Sequence, residues 1–205
     1  MKKMMTLLMV LALMVAMACP AFAAEGKFTF SPGPDSDPVV VERDFNGTKA
    51  AGIIRDANGE IVAYVPAGCL LLTPLADAVD EEKEVPEEVR ELLLSVYEAL
   101  TSGEMTVPYE KHGDDVNPDE MTMRNLFDIR FTCEEHAAMM EQEGYTIEVS
   151  FELGIEKDVP VYSMVYGEET EDWEPVVSTE NNGDGTINVV FDQLCVVEFS
   201  VKTEE

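Results

Sequence analysis

The chain has few groups suited to chemistry. Two histidines, His112 and His136, one tryptophan, Trp173, and four cysteines stand among 205 residues. No G-x-S-x-G elbow, phosphate-cradling glycine loop or H-E-x-x-H pair occurs, so the common hydrolase, nucleotide and zinc-protease signatures are missing. Paired carboxylates can hydrolyse glycosides, but 42 acidic residues make such pairs on any fold and single out none. Bases are scarce: 13 Lys and Arg leave a net charge of −29. That sign repels phosphate backbones, which excludes nucleic acid as a partner, and it opposes adhesion to anionic lipid. The expectation is a protein that is not an enzyme and needs no cofactor.

Long apolar runs are missing too, with one exception at the start. Lys2 and Lys3 precede a run over residues 4–18 broken only by Thr6, and Ala21-Phe22-Ala23 puts small residues at the −3 and −1 positions of a cleavage site. This pattern predicts a secretory signal peptide over residues 1–23, cleaved after Ala23. Its apolar run, about 15 residues, is short of the roughly 20 that span a bilayer. Use of Cys19 as a lipoprotein anchor stays open, although Ala16 stands where an aliphatic residue is usual. Losing Lys2 and Lys3 moves the net charge from −29 to −31. The mature form is expected without a transmembrane segment, secreted, extracellular or in the cell envelope.

Cys69, Cys133 and Cys195 then remain, so at most one intramolecular bridge can form and a disulfide scaffold is excluded. Whether each is bridged or a free thiol stays open. Cys133 and His136 are three apart and could share a helical face. A structural metal site takes about four ligands, and the sequence shows no second Cys/His pair; the expectation is no metal.

What is present reads as α+β, mainly β. "PVVVERDFNG" reads as a strand, and "AAGIIRDANGEIVAYVP" as a hairpin whose Asn58-Gly59 suits a type I′ turn. "CLLLTPL" reads as a buried strand. A helix is predicted over 86–101, with Pro86 in its first turn, Gly103 as its stop, and Val89, Leu92, Leu93, Val96, Tyr97 and Leu100 on one face. "HGDDVNPDE" reads as a polar loop, and "MTMRNLFDIRF" as a strand. A short helix follows, with Thr132 as N-cap and Gly144 as stop. "TIEVSFEL" alternates strictly, placing Ile147, Val149, Phe151 and Leu153 on one face. "VPVYSMVYG", "DWEPVVST", "TINVVF" and "CVVEFSV" read as the remaining strands. The expected organisation is a strand-and-helix subdomain over 24–118 and an antiparallel, immunoglobulin-like β-sandwich over 119–205.

Trp173, the run Asn182-Gly183-Asp184-Gly185-Thr186, Phe191, Leu194-Cys195 and Phe199 together resemble a family of secreted and surface proteins from gut-dwelling Gram-positive bacteria of the clostridial type. Their C-terminal segments read W…NGDGT…F..LC. The helix "VPEEVRELLLSVYEAL" is also similar, whereas Val196 replaces the family's usual proline after the cysteine. The resemblance implies a bacterial, extracytoplasmic sandwich. Its matched residues are structural punctuation and imply no activity.

Two sites remain to weigh. Trp173, Tyr162 and Tyr166 are candidate ligand-binding residues, because an exposed ring can stack on the apolar face of a sugar. "NNGDGT" resembles half a calcium loop: with Asp184 and Gly185 at positions 5 and 6, Glu180 and Asn182 fall at 1 and 3, but position 12 is Phe191, which cannot ligate. A tight turn is expected instead. The functional expectation is a non-catalytic secreted or cell-surface binding or structural module, with an envelope protein or a glycan as partner; the alternative is a carbohydrate-binding module.

Overall fold

The computed structural model describes residues 38–113, 116–168 and 170–202. The expected signal peptide with its cleavage after Ala23, Cys19 and the Pro/Gly/Ser loop expected before Pro38 lie outside the described residues. The mainly β, α+β expectation holds: two antiparallel sheets pack face to face, with helices over one outer face.

The first sheet runs β11 (Ser178–Asn181), β12 (Thr186–Phe191), β8 (Thr146–Glu152), β4 (Gly52–Arg55), β5 (Ile61–Val65), and β1 (Val39–Val40) pairs with the end of β8. The second runs β10 (Asp172–Pro175), β9 (Val161–Gly167), β13 (Val196–Lys202), β7 (Met121–Phe131), β6 (Leu70–Pro74). The alternation in β8 sets the core. Ile147, Val149 and Phe151 stand opposite Phe191, Val189 and Ile187 of β12, all without exposure. Across the gap, the Phe151 ring lies 5.5 Å from both Phe127 and Phe199, which are 5.3 Å apart. Tilted and edge-on ring packing of this kind adds about 0.5–1.5 kcal/mol per pair beyond area burial.

Helices α1 (Leu75–Val79) and α2 (Glu87–Ser102) contact the second sheet. The spacing of Val89, Leu93, Val96 and Leu100 buries one stripe of α2, while Leu92 and Tyr97 are half-buried at its margins. Pro86 stands at the N-cap, one position before the expected first turn, and Gly103 ends the helix at φ 78°. Arg90 ties the α1–α2 connection by donating to the carbonyls of Ala78, Asp80 and Lys83.

Several expectations are corrected. The first strand is broken: β1 joins the first sheet, whereas β2 (Arg43–Phe45) and β3 (Thr48–Ala50) form their own hairpin. That hairpin's central pair, Asn46 (φ 56°) and Gly47 (φ 91°), supplies the two positive φ angles of a type I′ turn. The Asn58-Gly59 turn is of another kind. The Asp56 carboxylate accepts from the Asn58 and Glu60 amides, and only Gly59 turns left-handed there. Helix α3 (Glu134–Met140) is capped at Cys133, because the Thr132 hydroxyl donates instead to the Gly68 carbonyl. It ends before Gly144. "DWEPVVST" is two strands. The Val176 amide donates to Ser163 in the second sheet and the Val177 amide to Val190 in the first, so the chain changes sheets just after Pro175.

The expected division at residue 118/119 runs through both sheets. Strands β4 and β5 join the sheet built on β8, and β6 pairs along β7. An open strand edge satisfies its backbone on the nearest matching edge, wherever that edge lies in the chain.

Candidate functional site

Trp173, Tyr166 and Tyr162 do share one face of the second sheet. Trp173 stands opposite Tyr166, and their ring centres are 5.4 Å apart. The face is covered. Trp173 is 1% exposed and Tyr166 8%, and Tyr162 is half-buried with the His112 ring edge-on at 5.4 Å. This corrects the expectation of an exposed stacking platform, since the Trp173 ring faces protein on both sides.

The cover is a strap, residues 104–112, laid across β10, β9 and β13. Its anchors follow from its side chains. The Trp173 indole Nε1 donates to the Met105 sulfur at 3.1 Å. Lys111 Nζ donates to Asp172 at 2.9 Å, to Glu174 at 2.9 Å and to the Trp173 carbonyl at 2.7 Å. These bonds, Glu174's first and then Asp172's, hold the Lys111 ammonium above its ordinary pKa. Burial of His112 lowers its pKa and so favours the neutral ring.

Beneath the strap lies a buried polar cluster. The Ser200 hydroxyl donates to Glu198 Oε2 at 2.6 Å, and the Tyr109 hydroxyl lies 2.6 Å from Ser200 Oγ and 3.4 Å from the same carboxyl oxygen. Glu198 has no exposure, and burial pushes its pKa up to about 8 against the lowering effect of those two hydroxyls. Tyr109 is raised as well, by burial first and by the Glu198 charge second. One strand away Asp128 is also fully buried, held by Arg130 through Nε at 2.6 Å and Nη2 at 2.7 Å. A neutral acid under a pinned strap and a forked ion pair both anchor structure.

The cysteines resolve into one bridge and one thiol. Cys69, on the 3-10 turn before β6, is bonded to Cys133, at the cap of α3, across 64 residues. Cys195 stays a buried thiol, its pKa raised chiefly by burial. One helical turn from Cys133 stands His136, whose ring stacks on Phe131 with centres 6.2 Å apart. The two sulfurs and a His136 ring nitrogen lie within 4.8 Å of one another. The Cys133–His136 spacing was legible in the sequence; Cys69, brought in by the fold, was not.

"NNGDGT" is the β11–β12 turn. Asn181 Oδ1 accepts from the Gly183 amide, and Asp184 Oδ1 accepts from the amide and hydroxyl of Thr186 at 3.0 and 2.6 Å. Gly183 and Gly185 carry positive φ angles. Of the oxygens the calcium reading needs, Asp184 Oδ1 is engaged within the turn and Asn182 Oδ1 accepts from the Asn188 side-chain amide at 3.0 Å.

One exposed apolar feature escaped the sequence reading. Val62 and Tyr64, on the outward face of edge strand β5, are 43% and 38% exposed. The signal was present in "IVAYV", which alternates in and out of the core.

No family model, curated protein or solved structure matches the chain.

Proposed function

We propose that the chain is a non-catalytic binding or structural module that works outside the cytoplasm, secreted or held at the cell surface. The observation that carries this reading is the use made of the polar groups. Glu198, Asp128, Asp184 and the Cys69–Cys133 pair are each engaged in bonds that hold the fold. A disulfide supports an oxidising compartment, in line with the leader-like first 23 residues. The family resemblance of the C-terminal segment supports a bacterial surface protein. The surface that suits a partner is β5, an edge strand with Val62 and Tyr64 outward, where an extended segment of an envelope protein can add to the sheet. Carbohydrate binding through Trp173 has no exposed ring face to work with.

The test compares wild type with a Val62→Lys, Tyr64→Lys variant in capture from native envelope extract. The expected result is one defined partner retained by wild type and lost by the variant at an unchanged melting temperature. Equal capture by both, or turnover of a defined substrate, overturns the reading.

A further inference from the structure

The corner where β6 begins and α3 begins holds three ligand-bearing side chains. Two are the sulfurs of Cys69 and Cys133, and the third is the His136 imidazole; their ligand atoms are mutually within 4.8 Å. Ligands bound to one zinc ion at 2.0–2.3 Å lie roughly 3.3–3.8 Å apart in a tetrahedral site. The corner gathers them close to that spacing: the two sulfurs separate from bonding distance, and the imidazole closes the remaining gap. A second observation comes from His136 itself. Its Nδ1 is buried with no hydrogen-bond partner among the described residues, although buried polar atoms are ordinarily paired. The ring is held there from two sides: it stacks on Phe131, and its backbone amide donates to the Cys133 carbonyl at 3.1 Å. The frame does not rest on the bridge alone. The Thr132 amide donates to the Cys69 carbonyl at 3.0 Å, and the Thr132 hydroxyl to the Gly68 carbonyl at 2.8 Å, so the two segments stay in register when the sulfur bond opens.

We infer that Cys69, Cys133 and His136 form a redox-gated zinc site, closed as a disulfide and binding Zn²⁺ when the bridge is reduced. Two equivalents of a thiol reductant open the bridge by successive exchange. They give up two electrons and leave as a disulfide, and Cys69 and Cys133 each end as a thiol. Zn²⁺ then displaces both thiol protons to the solvent and is bound by two thiolates and the neutral imidazole, with water in the fourth position. Oxidation by a disulfide reverses the sequence: two electrons leave the sulfurs, the Cys69–Cys133 bond re-forms and Zn²⁺ is expelled. Two thiolates and an imidazole suit zinc over the hard cations that the chain's many carboxylates attract weakly.

The experiment uses the whole chain in a Cys19→Ser, Cys195→Ser background, so that no other thiol contributes. The bridge is opened with a phosphine, which takes the oxygen of water to become a phosphine oxide as the two thiols form. Zn²⁺ is titrated against a chromogenic chelator, with Co²⁺ as a spectroscopic probe of thiolate ligation. The expected result is one equivalent of tightly held Zn²⁺ in the reduced chain and a thiolate-to-cobalt absorption band. The oxidised chain, with the same carboxylates, gives only background. His136→Asn should weaken binding about tenfold or more, as loss of one ligand in three requires. Equal binding by oxidised and reduced chains, or full affinity in the His136→Asn variant, overturns the inference. Fluorescence of the buried Trp173 reports folding. Should reduction unfold the chain, one equivalent of Zn²⁺ must restore the native spectrum, and failure to do so also overturns it.

Discussion

Asp128 and Glu198 stand on the same face of the same sheet, on neighbouring strands, and neither is exposed to water. They are held in opposite ways. Asp128 meets the planar fork of Arg130, two charge-assisted bonds in matching geometry. Glu198 meets two hydroxyls and no cation, and its Oε1 has no partner among the described residues. Burial is the same for both, so the partner decides the outcome: a forked ion pair in one place, a carboxyl that keeps its proton to about pH 8 in the other. Burying a charge is costly unless it is paired and hydrogen-bonded, and the sheet uses both remedies within one strand spacing.

The largest effect expected on this contrast is at Glu198. Unfolded, its carboxyl titrates near the ordinary 4.5; folded, it holds its proton to about 8. The stability this contributes is complete below pH 4.5 and is lost as pH rises through about 8. The interval corresponds to on the order of 5 kcal/mol. Glu198→Gln keeps a neutral group there at every pH. The difference in unfolding free energy, variant minus wild type, should therefore climb from pH 4.5 to 8 and level off above. Parallel curves from denaturant titrations at each pH would show that Glu198 is ionised in the folded chain and would dissolve the contrast.

Next comes Arg130. Arg130→Met retains an apolar stem but leaves Asp128 buried without its cation, a change worth about 3 kcal/mol. The double variant Asp128→Asn, Arg130→Met should recover much of that loss, because no unpaired charge then remains. Denaturant midpoints of the two variants make the comparison. A single variant as stable as the double would mean that Arg130 does not hold Asp128.

Neither carboxyl was distinguishable in the sequence from the other 40 acidic residues, and the reason is physical. Helix α2 and strand β8 were legible because which side chains face inward along a regular element depends on local spacing: Val89, Leu93, Val96 and Leu100 in one, Ile147, Val149 and Phe151 in the other. The fate of Glu198 and Trp173 depends on what is laid over the second sheet, and the strap that does so is irregular apart from a single 3-10 turn over Tyr109–His112; that of Asp128, on β7, depends on the fork of Arg130. The Cys69–Cys133 pairing spans 64 residues, and it became readable only once β6 was seen beside β7. Turn chemistry fell between. Two of the three Asn-Gly pairs look alike in sequence, yet Asn46-Gly47 closes a two-residue type I′ hairpin, while at Asn58-Gly59 the Asp56 carboxylate imposes a different turn.

The smallest effect is expected where the same kind of charge pairing sits in water. Lys111 bonds Asp172 and Glu174, whose side chains are 57% and 51% exposed. Its bonds hold the Asp172 carboxyl below its ordinary 3.8, the Lys111 bond being the largest cause. The contribution of Asp172 is thus present above pH 3.8 and is lost as pH falls through its lowered value. Solvent and salt screen such pairs, so Lys111→Ala should lower the melting temperature only slightly. The difference from wild type should shrink in about 0.5 M salt, and again as Asp172 protonates in acid. Trp173 should stay buried in the variant, because Met105 still receives its indole proton and Tyr109 still anchors the strap on Ser200. A red-shifted Trp173 emission in Lys111→Ala would instead make the exposed ion pairs the strap's main fastening, and would move the weight of the fold's polar anchoring from the buried acids to the surface.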